Sequence, residues 1–232
     1  MSEEKIFVAS PEAKSKATKF RIIAVVAWVT AMAGQVYAIF NLISDEKLMW
    51  LIGAMVVMLA LAITGSYFWK KANRLDPASE KEPTRFFIQN QLGAIMGVLA
   101  FLPLAVMILM NKEIDGKTKG IAGTIAVVAM AAAGITGADF DPPSVEKYTK
   151  EIQEQTAELE SLNVTDDVYW SSAGNKYHID KECHHIADRS VSRGTVKESF
   201  ESKGISELCK TCRKRAAKRK LEVPSVEGVL TE

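Results

Sequence analysis

All three cysteines and all three histidines of the chain lie between His178 and Cys212, in the C-terminal third of the sequence. His178 and Cys183 belong to one segment, and Cys209 and Cys212 form a Cys-x2-Cys pair further along. Zn²⁺ prefers four nitrogen or sulfur ligands in a tetrahedron, and Cys-x2-Cys is a common half-site. The spacing therefore predicts a zinc site with His178, Cys183, Cys209 and Cys212 as its ligands.

Two further histidines, His184 and His185, are alternative ligands in the same run. His184 directly follows Cys183, and two adjacent residues make a sterically poor pair of ligands for one ion. His185 fits a position beside the ligands or on the surface. The competing interpretation of the whole cluster is a set of metal-free thiols with exposed histidines.

A Cys3His site whose four positions are all filled by the protein leaves no open position for a catalytic water. The sequence also contains no Gly-rich phosphate loop, no paired catalytic carboxylates and no Ser/His/Asp arrangement. An enzymatic activity is therefore not expected.

Short elements must position these ligands, and the sequence predicts a small α+β zinc-binding domain over residues 164–222. Gly204 is a C-terminal stop for the first of its two helices. The predicted elements are strands at 167–170 and 176–179 around a turn at 171–175, a helix at 195–203 and a basic helix at 213–221.

The order of these features resembles the small zinc-binding domain of the Ada type, over residues 165–215 only. The matching features are Tyr177-His178, Cys183, Gly204 and the run Cys209-Lys210-Thr211-Cys212-Arg213. Related modules occur fused to nucleases, to DNA-uptake proteins and to membrane spans, so the resemblance implies nucleic acid as a partner. The family's repair protein accepts a methyl group on the first of four cysteines, where this chain has His178. An imidazole is not a thiolate nucleophile, so methyl transfer is not expected.

Basic residues are concentrated around the last predicted helix. They are Lys210, Arg213, Lys214, Arg215, Lys218, Arg219 and Lys220. Three interpretations remain open: phosphate binding on nucleic acid, contact with anionic lipid at ~1 kcal/mol per Lys or Arg, and a merely solvated helix face. No aromatic residue is interleaved, so stacking on single strands is not supported.

Four long stretches without a charged residue precede this domain, although the net charge of the chain is only +1. Each is long enough, or nearly so, to cross a bilayer core of ~30 Å as a helix. The alternative is four buried helices of a soluble protein, which rarely lack charges on every face. The fold class is thus an all-α transmembrane block of four helices followed by a small α+β zinc-binding domain. The predicted spans are 22–44, 48–69, 90–110 and 120–138.

The spans contain few polar or helix-breaking residues. Gln35 is the one strongly polar side chain deep in a span, and we expect it to form a structural hydrogen bond between helices. Pro103 is expected to kink the third span, with neighbours satisfying the freed carbonyl. Small residues at Ala129, Ala133 and Gly137 allow another helix to approach the fourth span closely. The block therefore resembles an anchor or assembly module more than a conduit.

The distribution of Lys and Arg predicts the orientation. The basic tail 1–21 and the loop 70–91 carry more of these residues than the two other loops, which places both in the cytoplasm of what we expect to be a bacterial cell. With four spans, the zinc-binding domain and the tail 223–232 are then cytoplasmic as well. A reducing compartment keeps the thiols available for metal.

A linker helix is predicted over 139–163, with Val145, Ile152 and Leu159 at one heptad position. It is interpreted either as a dimerising stalk or as an amphipathic helix resting on the zinc domain or the membrane. The protein could therefore form a homo-oligomer through residues 145–162 or through the spans.

Three functions are compatible with this organisation. The first is a membrane-anchored binding module for nucleic acid or for a cytoplasmic protein. The second is a structural or assembly protein whose basic domain rests on anionic lipid. The third is a thiol-based metal or redox sensor.

Overall fold

A computed structural model describes residues 6–222 of the chain. The predicted tail 223–232 and the first five residues lie outside the described residues. The chain divides into two compact units. One comprises Lys14–Ser144, and the other combines Met1–Ala13 with Val145–Glu232.

The described chain is mostly helical, with one pair of short strands near its C-terminal end. A 3-10 turn at Asp45–Lys47 precedes the second helix. The helices are α1 (Pro11–Asn41), α2 (Leu48–Leu75), α3 (Pro83–Leu99), α4 (Leu102–Met110), α5 (Gly116–Gly137), α6 (Val145–Ser161), α7 (Val196–Lys203) and α8 (Lys210–Glu222). The strands are β1 (Val168–Ser171) and β2 (Val191–Gly194).

Within residues 6–222, four helical segments are long and apolar enough to cross a membrane. Large apolar side chains such as Val26, Val57 and Val128 are exposed on them, as a lipid-facing surface requires. These features are consistent with a membrane protein. The segments are Pro11–Asn41, Asp45–Leu75, Pro83–Met110 and Gly116–Gly137.

The first helix begins at Pro11, eleven residues before the predicted span at 22–44. Part of the predicted basic tail is therefore structured. Phe7 is buried, and its backbone N–H donates to Thr149 Oγ1 at 2.9 Å. Its ring makes edge-on contacts with the rings of Tyr148 and Phe200. Phe7, Ala9 and Ala13 are buried in one cluster with Ile152 and Phe200, a packing that the polar composition of this stretch did not indicate.

The third apolar segment is interrupted at Ala100–Phe101, between α3 and α4, and Pro103 lies in the first turn of α4. The proline leaves a carbonyl group without its helical donor. In a continuous helix the N–H of residue 103 would donate to Leu99, and proline has no N–H. The Nε2 atom of Gln35, on α1, donates instead to the carbonyl oxygen of Leu99 at 3.3 Å. The kink predicted from Pro103 takes the form of an interruption just before that residue. The predicted interhelical hydrogen bond of Gln35 is confirmed, and it serves the carbonyl that the proline leaves without a donor.

Small residues bring α3 and α5 into backbone contact. A Cβ atom added at Gly93 would lie 2.7 Å from the carbonyl oxygen of Gly137, and one added at Gly97 would lie 2.7 Å from that of Ala133. Such distances are too short for any larger side chain. The predicted close approach at Ala133 and Gly137 is confirmed.

In the C-terminal unit, β1 pairs antiparallel with β2, with Val168 opposite Gly194. The prediction of a strand at 176–179 is wrong, because only isolated bridges form there. One of them nevertheless joins His178 to Tyr169 of β1, on the edge that β2 does not occupy. The strand that pairs with β1 is β2, from a separate part of the chain. Nothing in the local sequence specifies which edge of β1 it occupies.

The predicted linker helix belongs to the C-terminal unit as α6. Leu159 is fully buried in the cluster that contains Val168, Tyr177 and the three cysteines, and Ile152 is buried against Phe7 and Phe200. The apolar face of α6 is therefore covered within the unit. This supports the interpretation of an amphipathic helix resting on the metal-site domain.

We predict that Gln35→Leu destabilises the membrane block by about 1–2 kcal/mol, because it leaves the Leu99 carbonyl without a donor in an apolar environment. Unfolding of the detergent-solubilised protein by a denaturing detergent would measure this. In a Pro103→Ala background the cost should fall, because the restored N–H can serve the same carbonyl. An equal cost in both backgrounds would contradict the proposed link.

Candidate metal centre

Two pairs of backbone hydrogen bonds hold the His178 segment in place. The N–H and carbonyl groups of Tyr169 and His178 bond reciprocally, each at 2.7 Å. On the other side, the Tyr177 N–H donates to Glu207 at 3.0 Å, and the Cys209 N–H donates to Tyr177 at 2.9 Å. Residues 177 and 178 are thus clamped between β1 and the segment before α8, which brings His178 beside Cys209.

The start of α8 positions the Cys-x2-Cys pair. The Arg213 N–H donates to the carbonyl of Cys209 at 2.9 Å, so Cys209 stands just before the helix and Cys212 lies in its first turn. Residues at this spacing project from the same end of a helix. Cys183 comes from a separate tight turn, closed by its N–H donating to Asp180 at 3.1 Å.

The four predicted ligands converge. The donor atoms of His178, Cys183, Cys209 and Cys212 all lie within 4.8 Å of one another, and all four residues are buried. The Nδ1 atom of His178 is 3.7 Å from Sγ of Cys212. A tetrahedral zinc with bonds near 2.3 Å has edges of about 3.8 Å, so the donor set and its spacing fit a metal ion.

The buried groups have perturbed pKa values. Burial, with the charges of the neighbouring imidazoles, lowers the pKa of His178, which keeps the ring in the neutral form that binds metals. Burial raises the pKa of Cys212 to about 12. Burial also acts to raise the pKa of Cys209, but hydrogen bonds from the backbone of Cys212 and Thr211 and from the thiols of Cys183 and Cys212 together lower it. A metal ion must therefore displace a proton at Cys212.

His184 and His185 lie outside the cluster. Both are exposed, and their ring centroids lie 3.8 Å apart with the ring planes tilted by 40°. The Nε2 atom of His185 is 3.4 Å from Thr211 Oγ1. Of the three histidines, the structure therefore brings only His178 into the donor set.

The basic residues of α8 fall into different environments. Arg213 is paired with Glu158 of α6, and Arg215 lies 3.3 Å from Asp180. The Lys220 ammonium donates to the Ser161 carbonyl at 2.6 Å. These contacts fasten α8 to α6 and to the turn before Cys183, and they reduce the positive charge available to a partner. Lys210, Lys214, Lys218 and Arg219 are also exposed.

Two supporting contacts were missed in the sequence. The Tyr177 hydroxyl donates to Gln155 Oε1 on α6 at 2.9 Å, and burial raises the pKa of that phenol. Thr195 and Glu198 form a reciprocal capping box at the start of α7. The Thr-x-x-Glu pattern was a readable signal for the cap, whereas nothing in the local sequence pairs Tyr177 with Gln155.

No family model, no curated protein and no solved structure matches the chain. The comparisons therefore identify no Ada-type domain.

We predict that the protein purified in detergent carries one metal ion per chain, and that His178→Ala and Cys212→Ser each remove it. His184→Ala is the matched control and should retain the metal, because its ring lies outside the donor set. Elemental analysis would measure the content. Since structural metal binding supplies folding energy, residues 164–222 should also become protease-sensitive in the two ligand variants. Metal retained in either ligand variant, or lost in the control, would contradict this assignment.

Proposed function

We propose that this is a membrane-anchored protein whose C-terminal unit is held together by a structural zinc ion and serves as a binding module for nucleic acid. The observation that carries the proposal is the closed set of four buried donors, His178, Cys183, Cys209 and Cys212. Three thiolates and an imidazole suit Zn²⁺ far better than a hard cation such as Mg²⁺ or Ca²⁺. When bound, the ion would supply folding energy, and its filled coordination gives no position for substrate.

The four apolar segments are the anchor. We place both termini and the connection between α2 and α3 in the cytoplasm, because Lys and Arg are concentrated in residues 1–21 and 70–91, which include the start of α1, the end of α2 and the start of α3. A reducing cytoplasm would also keep Cys183, Cys209 and Cys212 available as metal ligands.

The orientation is tested with single engineered cysteines at two exposed lysines. We expect Lys117→Cys, at the start of α5, to react with a membrane-impermeant thiol reagent in intact cells. Lys81→Cys, in the loop before α3, should react only after the cells are opened. Labelling of Lys81→Cys in intact cells would show that the protein has the opposite orientation.

The nucleic-acid role is supported by cations that the fold leaves exposed. Lys214 and Arg219 lie on α8 and are exposed, whereas Arg213 is committed to Glu158. Phosphate contacts by such residues give affinity without sequence preference.

We expect the full chain in neutral-lipid nanodiscs to bind duplex oligonucleotide with an affinity that falls steeply between roughly 50 and 200 mM salt. The double variant Lys214→Gln/Arg219→Gln should bind more weakly and lower the salt slope by about one to two. Arg213→Gln is the matched control, because its charge is already paired, and it should leave the slope unchanged.

Absence of oligonucleotide binding at low salt would contradict this function. Binding to vesicles that depends on anionic lipid, without nucleic-acid binding, would instead favour the assembly role in which the basic unit rests on the membrane. Measuring oligonucleotide binding and vesicle binding on the same variants separates the two outcomes.

A further inference from the structure

A cleft of about 440 Å³ opens directly beside the four-donor cluster. His178 and Cys209 line it, so two of the four donors form part of its wall. The volume lies in the range of sites for small molecules. The cleft therefore adjoins the metal centre without requiring a free coordination position on the ion.

Three cationic side chains line the same cleft: Lys176, Arg189 and Lys210. Lys176 is paired with Glu207, whose pKa is lowered mainly by that hydrogen bond. Arg189 and Lys210 are exposed. A zinc ion held by three thiolates would carry one net negative charge, so two cations outweigh it. The cleft is left attractive to an anion.

Polar groups complete the lining. Asn175 contributes an amide, Thr211 a hydroxyl and His185 an imidazole, with Thr211 Oγ1 3.4 Å from His185 Nε2. Lys210 is the first residue of α8, where the helix dipole also favours negative charge. Among the described residues that line the cleft there is no Phe, Tyr or Trp ring, so it offers no platform for a nucleobase.

We propose that this cleft binds the phosphate group of a small ligand, with Arg189 and Lys210 as its charged contacts. Arginine suits this role because its planar guanidinium can donate two parallel hydrogen bonds to phosphate oxygens. Thr211 and Asn175 provide neutral hydrogen bonds beside them. The site is independent of the nucleic-acid surface on α8, since Lys214 and Arg219 do not line it.

The phosphate could belong to a soluble phosphate ester or to a lipid headgroup, because both present the same oxygens. The cleft recognises the group and not the rest of the molecule. Two probes therefore separate the sources: glycerol 3-phosphate in solution, and phosphatidic acid in vesicles of phosphatidylcholine.

The test is calorimetric titration of the full chain in detergent with inorganic phosphate and glycerol 3-phosphate. Arg189→Gln and Lys210→Gln should each weaken binding roughly tenfold or more, because each removes a charge-assisted contact. Lys214→Gln is the matched control on the same helix and should bind as the parent does. The metal content of every variant should be measured as well, to check that the metal centre is intact.

Vesicle binding is then measured for the same proteins. Phosphatidic acid binding that inorganic phosphate competes away assigns the ligand to lipid, whereas solution binding alone assigns it to a soluble ester. The proposal is overturned if neither phosphate probe binds saturably, or if Lys214→Gln weakens binding as much as the two cleft variants. Oligonucleotide binding retained in Arg189→Gln leaves the nucleic-acid proposal intact, so the two can fail separately.

Discussion

Three thiols and an imidazole, buried within 4.8 Å of one another, are the constraint around which the C-terminal unit is built. They come from three separate segments, and backbone hydrogen bonds hold each segment in place. The clamp on Tyr177 and His178 joins β1 to the segment that begins α8. Such small units bury little apolar surface, so a metal ion that joins distant segments can supply the missing folding energy.

The same requirement, that buried polar groups find partners, organises the apolar unit. Pro103 removes one backbone donor, and Gln35 supplies another from α1 to the carbonyl of Leu99. Between α3 and α5, Gly93 and Gly137 allow close packing, because without side chains the two helix backbones can come into contact. Polar contacts between helices and close packing of small residues both favour helix association in lipid, because lipid provides no hydrophobic driving force between apolar helices.

The distribution of charge around the metal centre has a consequence for function. Arg213 and Arg215 are used to fasten α8 to Glu158 and Asp180, so a run of basic residues is not one binding surface. Surface ion pairs of this kind contribute little energy but fix orientation. Arg189, outside that run, faces a cleft beside the metal centre instead. Charge counted along the sequence and charge available to a ligand are therefore different quantities.

The sequence by itself determined the four apolar helices, the disturbance of the third of them near Pro103 and the four predicted metal ligands, because each follows from residue types and their positions along the chain. It also identified α7 and its stop at Gly204. The sequence predicted His178 as the fourth ligand but left His184 and His185 open as alternatives, and only the tertiary structure decided against those two. The backbone bonds of residues 177 and 178 to β1 and to the segment before α8 bring His178 to the cysteines. The pairing of β1 with β2 and the burial of Phe7 against α6 and α7 were likewise decided in three dimensions. Contacts between residues far apart in the chain leave no local periodicity, so nothing in the linear pattern specifies them.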